Sequence, residues 1–244
     1  MTVAAWVVLA VAAFFVGFGK TTISGVTLIT VALASAVMPA RDSTGLVLLL
    51  FLTGDVFALR AFRAHADWHV LRRLAPSVVV GVLVGVLYLQ RFTSDVLLSR
   101  TIGVVLLTLT ALHLAMRRIE REVRDHALPP VVTAAAGATA GFTSMVANAG
   151  GGVMSIYLLN MKSQVLGVLG TNAWFFFVIN VFKVPFSVGL GLISWATVWH
   201  AIVLAPCVVL GAVVGGRVIR RISMGWFQRL VLLLTALAGV RLLA

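Results

Sequence analysis

Residues 17–22, with the sequence GFGKTT, combine a lysine with glycines and hydroxyl groups, which is the chemistry of an anion-binding loop. The phosphate loop of nucleotide-binding proteins has the pattern G-x-x-x-x-G-K-[ST] between a strand and a helix. Here Phe14 stands in place of the first glycine, and a long apolar run precedes the motif. We therefore reject a nucleotide site and interpret Lys20 as a charge placed inside an apolar segment.

Lys20 is the first candidate substrate ligand. A lysine at the centre of a membrane helix costs about 2.5–3.5 kcal/mol and needs a partner or water, so such residues commonly have a function. Thr21, Thr22 and Ser24 add hydroxyl donors, and the nearby glycines let backbone N–H groups approach a bound anion. The alternative is that Lys20 extends to lipid headgroups while the glycines serve helix packing.

A second glycine-rich stretch, SMVANAGGGV at residues 144–153, carries an amide in place of a charge. Asn148 is a candidate ligand, and Gly151 lies at the start of the following segment. A helix that begins at these glycines would direct N–H dipoles towards the same anion. Taken alone, a triple glycine in a membrane protein more often indicates helix packing.

The segment GTNAWFFFVINVFKVPF at residues 170–186 places polar side chains in an apolar, aromatic helix. Asn172, Asn180 and Lys183 are separated by 8 and 3 residues, which puts them on one helical face. We predict that this face lines a cavity and include the adjacent Thr171 as a ligand. The alternative is interhelical hydrogen bonding, with Lys183 paired with Asp55.

Asp55 is the one acidic residue well inside an apolar segment. It is a candidate proton carrier, or a counter-ion that holds Lys20 or Lys183 when no substrate is bound. The alternative, equally consistent with the sequence, is a position near the cytoplasmic end of its segment and an ion pair with Arg60.

Composition identifies the kind of protein in which these residues lie. Of the 244 residues, 61% are hydrophobic and 11% charged, and the mean hydropathy is +1.10. Continuous apolar stretches of 15 to 25 residues indicate membrane-spanning helices rather than the alternating strands of a barrel. No basic region precedes the first apolar run, so we expect no cleavable signal peptide.

Several partners and cofactors are not expected. The net charge of +12 would suggest nucleic acid in a soluble protein, but in a membrane protein the location of the charges matters more. The single cysteine, Cys207, excludes an internal disulfide, and no Cys/His cluster has metal-ligand spacing. We expect no cofactor, no metal and no nucleic acid, and we expect the lipid bilayer as a partner.

Apolar runs bounded by charges, proline and glycine predict ten segments. They lie at about 3–18, 25–39, 43–60, 74–90, 97–116, 131–147, 152–161, 166–190, 197–216 and 226–243. The first, second, sixth and seventh would extend about 15–25 Å, short of a hydrocarbon core of about 30 Å. These four segments are predicted to form two short, broken or re-entrant hairpins.

Basic residues are sorted between the two sides of the predicted membrane. Loops on one side carry thirteen Lys and Arg residues and loops on the other carry four, while Lys20 and Lys183 fall within segments. The positive-inside rule places the thirteen in the cytoplasm and therefore both termini outside.

The chain also repeats itself. LAPSVVVGVLVG at 74–85 matches LAPCVVLGAVVG at 204–215, 130 residues later, and GF at 17 answers GF at 141. This predicts a first transmembrane repeat at 1–116, a charged cytoplasmic linker at 117–130 and a second repeat at 131–244. The fold class is then an all-α polytopic membrane protein with two repeats of inverted topology, each a short hairpin plus three full helices.

Together, GFGKTTISGV, TGDVFALRAFRAHADWHVLRRLAPSVVVGVLVG and the stretch from GFTSMVANAGGGV to NVFKVPF resemble the sulfite exporter TauE/SafE family of membrane permeases. The resemblance implies a two-repeat transporter of the bacterial inner membrane that moves small anions, notably sulfite, sulfoacetate and related organosulfonates. Similar sequences often carry Ala-Gly-Pro before the valine of the second glycine-rich stretch, and this chain has no proline there.

Chemistry and resemblance together predict a secondary transporter that exports small oxyanions by alternating access around a midplane site, driven by the proton gradient. The alternatives are an anion channel with the same lining and an uptake carrier for another small anion. A non-transporting scaffold would tolerate loss of Lys20 and Lys183. An enzyme would need a nucleophile with a base, or a metal set, and neither is evident. The oligomeric state is open, with a homodimer as one candidate.

Overall fold

The structure is a computed structural model that describes residues 2–21, 26–119, 129–159 and 165–218, together with 233, 235–237 and 239–243. Within these residues the chain is helical, with short connections and no strand. The elements are α1 (Val3–Thr21), α2 (Thr27–Val37), α3 (Ala40–Phe62), the 3-10 turn η1 (Arg63–His65), α4 (Trp68–Arg91), α5 (Asp95–Ile119), α6 (Pro130–Ala147), α7 (Gly150–Leu159), α8 (Val165–Gly189) and α9 (Trp195–Val218). The all-α prediction is confirmed for this part of the chain.

Seven helices of the described chain, all except α2 and α7, are long and apolar enough to cross a membrane. The prediction that the first and sixth segments are also short is wrong. α1 has 19 residues because the helix continues through its glycines and Lys20 to Thr21, and α6 has 18. α2 has 11 residues, about 17 Å, and is half-length as predicted, and the described part of α7 has 10 residues, about 15 Å. The predicted tenth segment lies largely outside the described residues.

α1 and α9 run in the same direction and touch through their backbones. A Cβ atom at Gly17 would lie 1.9 Å from the carbonyl oxygen of Val208, and one at Gly211 would lie 2.0 Å from that of Phe14. Small residues of this kind allow close helix packing in membranes, where van der Waals contact drives association. Both glycines are therefore required for this crossing.

α4 and α6 make a second crossing of the same kind. A Cβ atom at Gly141 would lie 2.2 Å from the carbonyl oxygen of Val78, and one at Gly81 would lie 2.1 Å from that of Ala138. Gly141 and Val78 are the sequence matches of Gly17 and Val208. The two crossings thus use corresponding glycines against corresponding carbonyl groups.

α3 and α8 pack in opposite directions at the centre of the molecule. Gly45, near the start of α3, lies against Leu192, which follows α8. Gly170, near the start of α8, lies against His65 in the turn that follows α3. The middle of each helix is therefore opposite the middle of the other.

Aliphatic side chains fill the space between the helices, and others face outwards. Leu46, Leu74 and Ile102 are buried, whereas Leu87 and Leu210 are 64% and 60% exposed. Outward aliphatic side chains suit a lipid environment, because hydrocarbon is as apolar as leucine. With the seven long apolar helices, this distribution is that of a multi-pass membrane protein.

Candidate functional site

A cavity of about 30 Å³ lies where α1, α2, α3, α6, α7 and α8 meet. Its polar lining consists of Lys20, Thr27, Asp55, Ser144, Asn148, Asn172 and Asn180. On this measure of volume a water molecule needs about 10–15 Å³, so the cavity has room for about two waters. The space suits a compact ligand such as the head of a small anion.

Lys20 reaches the cavity from the C-terminal end of α1 and donates a hydrogen bond to the carboxylate of Asp55. Both side chains are buried, at 7% and 0% exposed. The Lys20 ammonium also lies 4.8 Å from the ring centre of Phe51 and 4.6 Å from that of Phe176. The faces of aromatic rings attract cations, so the ammonium is held by one carboxylate and two rings.

Asp55 lies in the middle of α3 and faces Asn180 in the middle of α8. Asn180 Nδ2 donates to the second carboxylate oxygen of Asp55 at 2.7 Å. Each residue is ten positions, or about 15 Å, beyond the glycine that marks the start of the α3–α8 contact, Gly45 or Gly170. The pair therefore lies halfway along the contact, where a midplane site is expected.

Lys183 is also buried, but its hydrogen-bond partners are neutral. Its ammonium donates to the backbone oxygen of Ser144 at 2.6 Å, to Asn148 Oδ1 at 2.8 Å, to Ser144 Oγ at 3.1 Å and to Asn180 Oδ1 at 3.4 Å. Ser144 lies in the last turn of α6. A cation is favourable at the C-terminal end of a helix, where carbonyl groups lack partners.

The break between α6 and α7 occurs at Asn148, which has a φ of 49° in the left-handed region. Asparagine is one of the few side chains that tolerate this conformation, and it commonly ends helices. The N–H groups of Asn148 and Ala149 return to the carbonyl oxygens of Ser144 and Thr143, both at 3.1 Å. The sequence thus ends α6 without a proline.

Lys183 also fixes the orientation of two amides. Because it takes Oδ1 of Asn148 and of Asn180, the Nδ2 groups point away from it. Asn148 Nδ2 donates to the carbonyl oxygen of Thr44 at 2.9 Å, and Asn180 Nδ2 donates to Asp55. A continuous set of hydrogen bonds therefore joins Lys20 on α1 to the end of α6.

Helices α2 and α7 both begin beside the cavity. Thr27 is the first residue of α2 and Gly151 the second of α7, and both line the cavity. A Cβ atom at Gly151 would lie 3.6 Å from Thr27 Oγ1. The N-terminal end of a helix carries a partial positive charge, so two such ends flank the space beside Lys20.

The structure brings six of the residues predicted from sequence to the cavity. They are Lys20, Asp55, Asn148, Gly151, Asn172 and Asn180. Asp55 is bonded to Lys20, and no ion pair with Arg60 is found among the described residues.

Three other candidates are not among the lining residues. The hydroxyl of Thr21 lies 3.1 Å from the carbonyl oxygen of Gly17 and 3.2 Å from that of Ala212 on α9. Thr171 accepts a hydrogen bond from the backbone N–H of Asp67 at 2.9 Å, near the end of η1. Lys183 does not line the cavity, but its ammonium donates to the Oδ1 atoms of Asn148 and Asn180, which do line it. Thr22 and Ser24 fall outside the residues that the structure describes.

Sequence reasoning missed four polar or aromatic lining residues, namely Phe51, Phe176, Thr27 and Ser144. A signal for the two rings was present. Phe51 precedes Asp55 by four positions and Phe176 precedes Asn180 by four, so each ring shares a helical face with the central polar residue.

Metal ligands are not grouped anywhere in the described part of the chain, which has no cluster of three or more His, Cys, Asp or Glu residues.

The family model described as "Sulfite exporter TauE/SafE" matches residues 9–242, nearly the whole chain. No curated protein and no solved structure gives a match.

Proposed function

The chain belongs to the sulfite exporter TauE/SafE family, and from this premise we propose that it is a secondary transporter of small oxyanions such as sulfite or organosulfonates. It carries them out across the bacterial inner membrane. Membership of a transporter family agrees with the prediction that the chain is not an enzyme.

The observation that carries the proposal is the placement of Lys20. Its ammonium lies in a small cavity between helix starts, beside amide groups and within a bundle of membrane-spanning length. Charge-assisted hydrogen bonds are stronger than neutral ones, and they offset the lost hydration of an oxyanion. The N-terminal ends of α2 and α7 add favourable dipoles. An anion satisfies all of these groups at once.

The proposed ligands are those predicted residues that line the cavity, namely Lys20, Asn148, Gly151, Asn172 and Asn180. Asp55 holds Lys20 when the site has no substrate, and the bound anion takes its place as the partner of the ammonium. Asp55 is then also the group through which proton coupling takes place. Lys183 supports the site through Asn148 and Asn180.

Alternating access between two inverted repeats is the proposed mechanism. The repeats are 1–116 and 131–244, joined by the linker at 117–130. The matched glycine contacts of the α1–α9 and α4–α6 crossings support this division, since corresponding residues make corresponding contacts. The half-length α2 and the described part of α7, at corresponding places, support it too, because broken helices line the midplane site of inverted-repeat transporters.

The proposed orientation puts both termini outside, on the strength of the thirteen basic residues in loops of one side. A homodimer is the proposed assembly to test first.

Purified full-length protein in liposomes tests the function with a panel of sulfite, sulfonates, sulfate, chloride and small carboxylates. Saturable uptake of sulfite or a sulfonate, with counterflow, is expected. Lys20→Met should reduce it at least about thirtyfold, the equivalent of about 2 kcal/mol for a lost buried charge contact. Gly216→Ala is the matched control, because a Cβ atom there meets nothing within 4 Å.

Two outcomes contradict the proposal. The transporter role is wrong if none of these anions moves, and the carrier mechanism is wrong if the protein gives single-channel currents without counterflow.

A further inference from the structure

We propose that a groove between α4 and α8 binds an anionic phospholipid, with the phosphate at Arg72 and an acyl chain along the apolar walls. The groove lies on the surface of the bundle and shares no lining residue with the central cavity. The inference does not depend on the proposed transport function.

The groove has a volume of about 370 Å³, and one face of each helix forms its walls. Lining residues recur every three or four positions, from Trp68 to Val79 on α4 and from Trp174 to Phe182 on α8. At 1.5 Å per residue these stretches extend about 16 Å and about 12 Å. That is roughly the depth of one leaflet, since the hydrocarbon core is about 30 Å thick. The groove can therefore hold an acyl chain within a single leaflet.

A pair of tryptophans marks one end of the groove. The ring centres of Trp68 and Trp174 are 5.1 Å apart, and Trp174 Nε1 donates a hydrogen bond to the backbone oxygen of Arg63 at 3.3 Å. Tryptophan is enriched where a membrane meets water, because its ring is apolar and its N–H group is polar. We therefore expect this end at the level of the lipid headgroups and the other end in the hydrocarbon.

Arg72 is the charged residue among the described residues that line the groove, and it lies one turn beyond Trp68. Helical side chains lean towards the N-terminus of their helix, which directs the guanidinium towards the tryptophan end. Arg72 is exposed, and no acidic side chain of the described chain forms an ion pair with it. The nearby carboxylate of Asp67 instead accepts hydrogen bonds from the N–H groups of His69 and Val70, at 3.0 and 3.2 Å. The charge of Arg72 is thus available to a ligand.

A phospholipid with a net negative charge suits both parts of this groove. Arginine can form two parallel hydrogen bonds with phosphate oxygens, and the lining beyond Arg72 is aliphatic or aromatic. In a zwitterionic lipid the cation of the headgroup competes with Arg72 for the phosphate. A second copy of the chain is less suited to a positively charged groove, because the chain has a net charge of +12. On the proposed orientation the tryptophan end faces the cytoplasm, where basic residues near the membrane surface attract anionic lipids.

Native mass spectrometry of the full-length protein tests the inference with phosphatidylglycerol and phosphatidylcholine that carry identical acyl chains. Wild-type protein is expected to bind one phosphatidylglycerol at least about fivefold more tightly than phosphatidylcholine. Arg72→Gln should remove this preference, because a basic residue near the membrane surface contributes about 1 kcal/mol, or about fivefold, to binding of an anionic lipid. Arg217→Gln is the matched control and should keep the preference, since Arg217 is exposed in the last turn of α9 and does not line the groove.

Ala75→Phe tests the apolar part of the groove. Ala75 lies midway along the α4 wall, so a phenyl ring at this position would fill the space for the acyl chain. Binding of both lipids should then be lost, whereas Arg72→Gln weakens the binding of phosphatidylglycerol alone.

Three results would overturn the inference without bearing on anion transport. Equal affinity of wild-type protein for the two lipids would do so whether or not the variants fold. An Arg72→Gln protein that keeps the wild-type preference would also do so. The third is a wild-type dimer that Ala75→Phe converts to a monomer in size-exclusion chromatography, which would make the groove an interface between copies of the chain.

Discussion

The α1–α9 and α4–α6 crossings have the same kind of backbone contact and differ in the polar residues that lie near them. In each, a glycine of one helix meets a carbonyl oxygen of the other at a separation that excludes any side chain. The contact residues correspond in sequence, Gly17 with Gly141 and Val208 with Val78. Close packing of this kind depends on atoms that every residue shares and on the absence of a Cβ atom, so neither crossing tolerates much change.

The polar positions near these crossings have diverged. The spacing that relates Gly17 to Gly141 relates Lys20 to Ser144, and the spacing that relates Gly45 to Gly170 relates Asp55 to Asn180. The ion pair thus belongs to the first half of the chain, and the second half supplies a hydroxyl and an amide around it. On the proposed division into two repeats, the close helix contacts are alike in both halves, whereas the Lys20–Asp55 ion pair lies in the first half and the buried Lys183 in the second.

Leucine at either matched glycine is expected to have the largest effect. Gly17→Leu and Gly141→Leu each force two helices apart, because the first atom of the side chain would already lie within about 2 Å of a carbonyl oxygen. Both variants should lose most folded protein, as measured by size-exclusion chromatography in detergent. Gly216→Leu, with open space around it, should behave as wild type. Tolerance of only one of the two leucines would break the correspondence between the crossings.

Substitution of the two buried lysines should distinguish a role in protein stability from a role in anion binding. Lys183→Met leaves Ser144 O and Asn148 Oδ1 buried without this donor and should lower the free energy of unfolding by about 2–5 kcal/mol. The double variant Lys20→Met with Asp55→Asn removes both members of the ion pair together, which is often nearly neutral for stability.

Denaturant unfolding and anion calorimetry check this separation. The double variant should retain wild-type stability within about 1 kcal/mol and lose anion binding. Equal stability losses in the two proteins would mean that the lysines have the same structural role.

Substitutions that change the size of the cavity at the starts of α2 and α7 should have a smaller effect on anion affinity. A methyl group in Gly151→Ala would lie at ordinary contact distance from Thr27 Oγ1 and Phe176, so the fold should persist while the cavity of about 30 Å³ fills. Affinity for a small anion should fall about tenfold, or about 1.4 kcal/mol. Thr27→Ala enlarges the cavity and should favour longer sulfonates. Calorimetry with methanesulfonate and a longer homologue checks both, and unchanged affinity in Gly151→Ala would place the anion elsewhere.

The two aromatic rings beside Lys20 should contribute least to stability, and by equal amounts. Phe51→Leu and Phe176→Leu each remove one ring from the Lys20 ammonium while keeping an apolar side chain. A loss of about 0.5–1 kcal/mol in unfolding free energy is expected for each. A large difference between the two would show that the halves do not hold Lys20 symmetrically.

Much of this arrangement follows from local sequence. Long apolar runs predict the helices because backbone groups in lipid must pair internally. Lys20, Asp55 and Asn180 could be selected because polar groups are costly within such runs. The end of α1 could not be placed, since the helix passes through glycines that would weaken it in water and are favourable at a close crossing with α9.

The sequence could not show which side chains these polar residues contact. Asp55 had two lysines as candidates, and the crossing of α3 with α1 and α8 gives it Lys20. Periodicity put Lys183 on one face with Asn172 and Asn180, but the length of its side chain carries the ammonium past the cavity to α6. Thr171 does not line the cavity, because its hydroxyl accepts a hydrogen bond from the backbone N–H of Asp67, in the connection that follows α3.

The amide orientation imposed by Lys183 has a consequence for metal ions. Hard cations bind to oxygen ligands, and the Oδ1 atoms of Asn148 and Asn180 are occupied by the ammonium of Lys183. The carboxylate of Asp55 is engaged by Lys20 and Asn180. A sodium ion entering this space would have to compete with these donors for the oxygens of Asp55, Asn148 and Asn180. We therefore expect hydrogen-bond direction, as well as charge, to disfavour metal cations here, and replacing sodium with potassium should leave anion affinity unchanged.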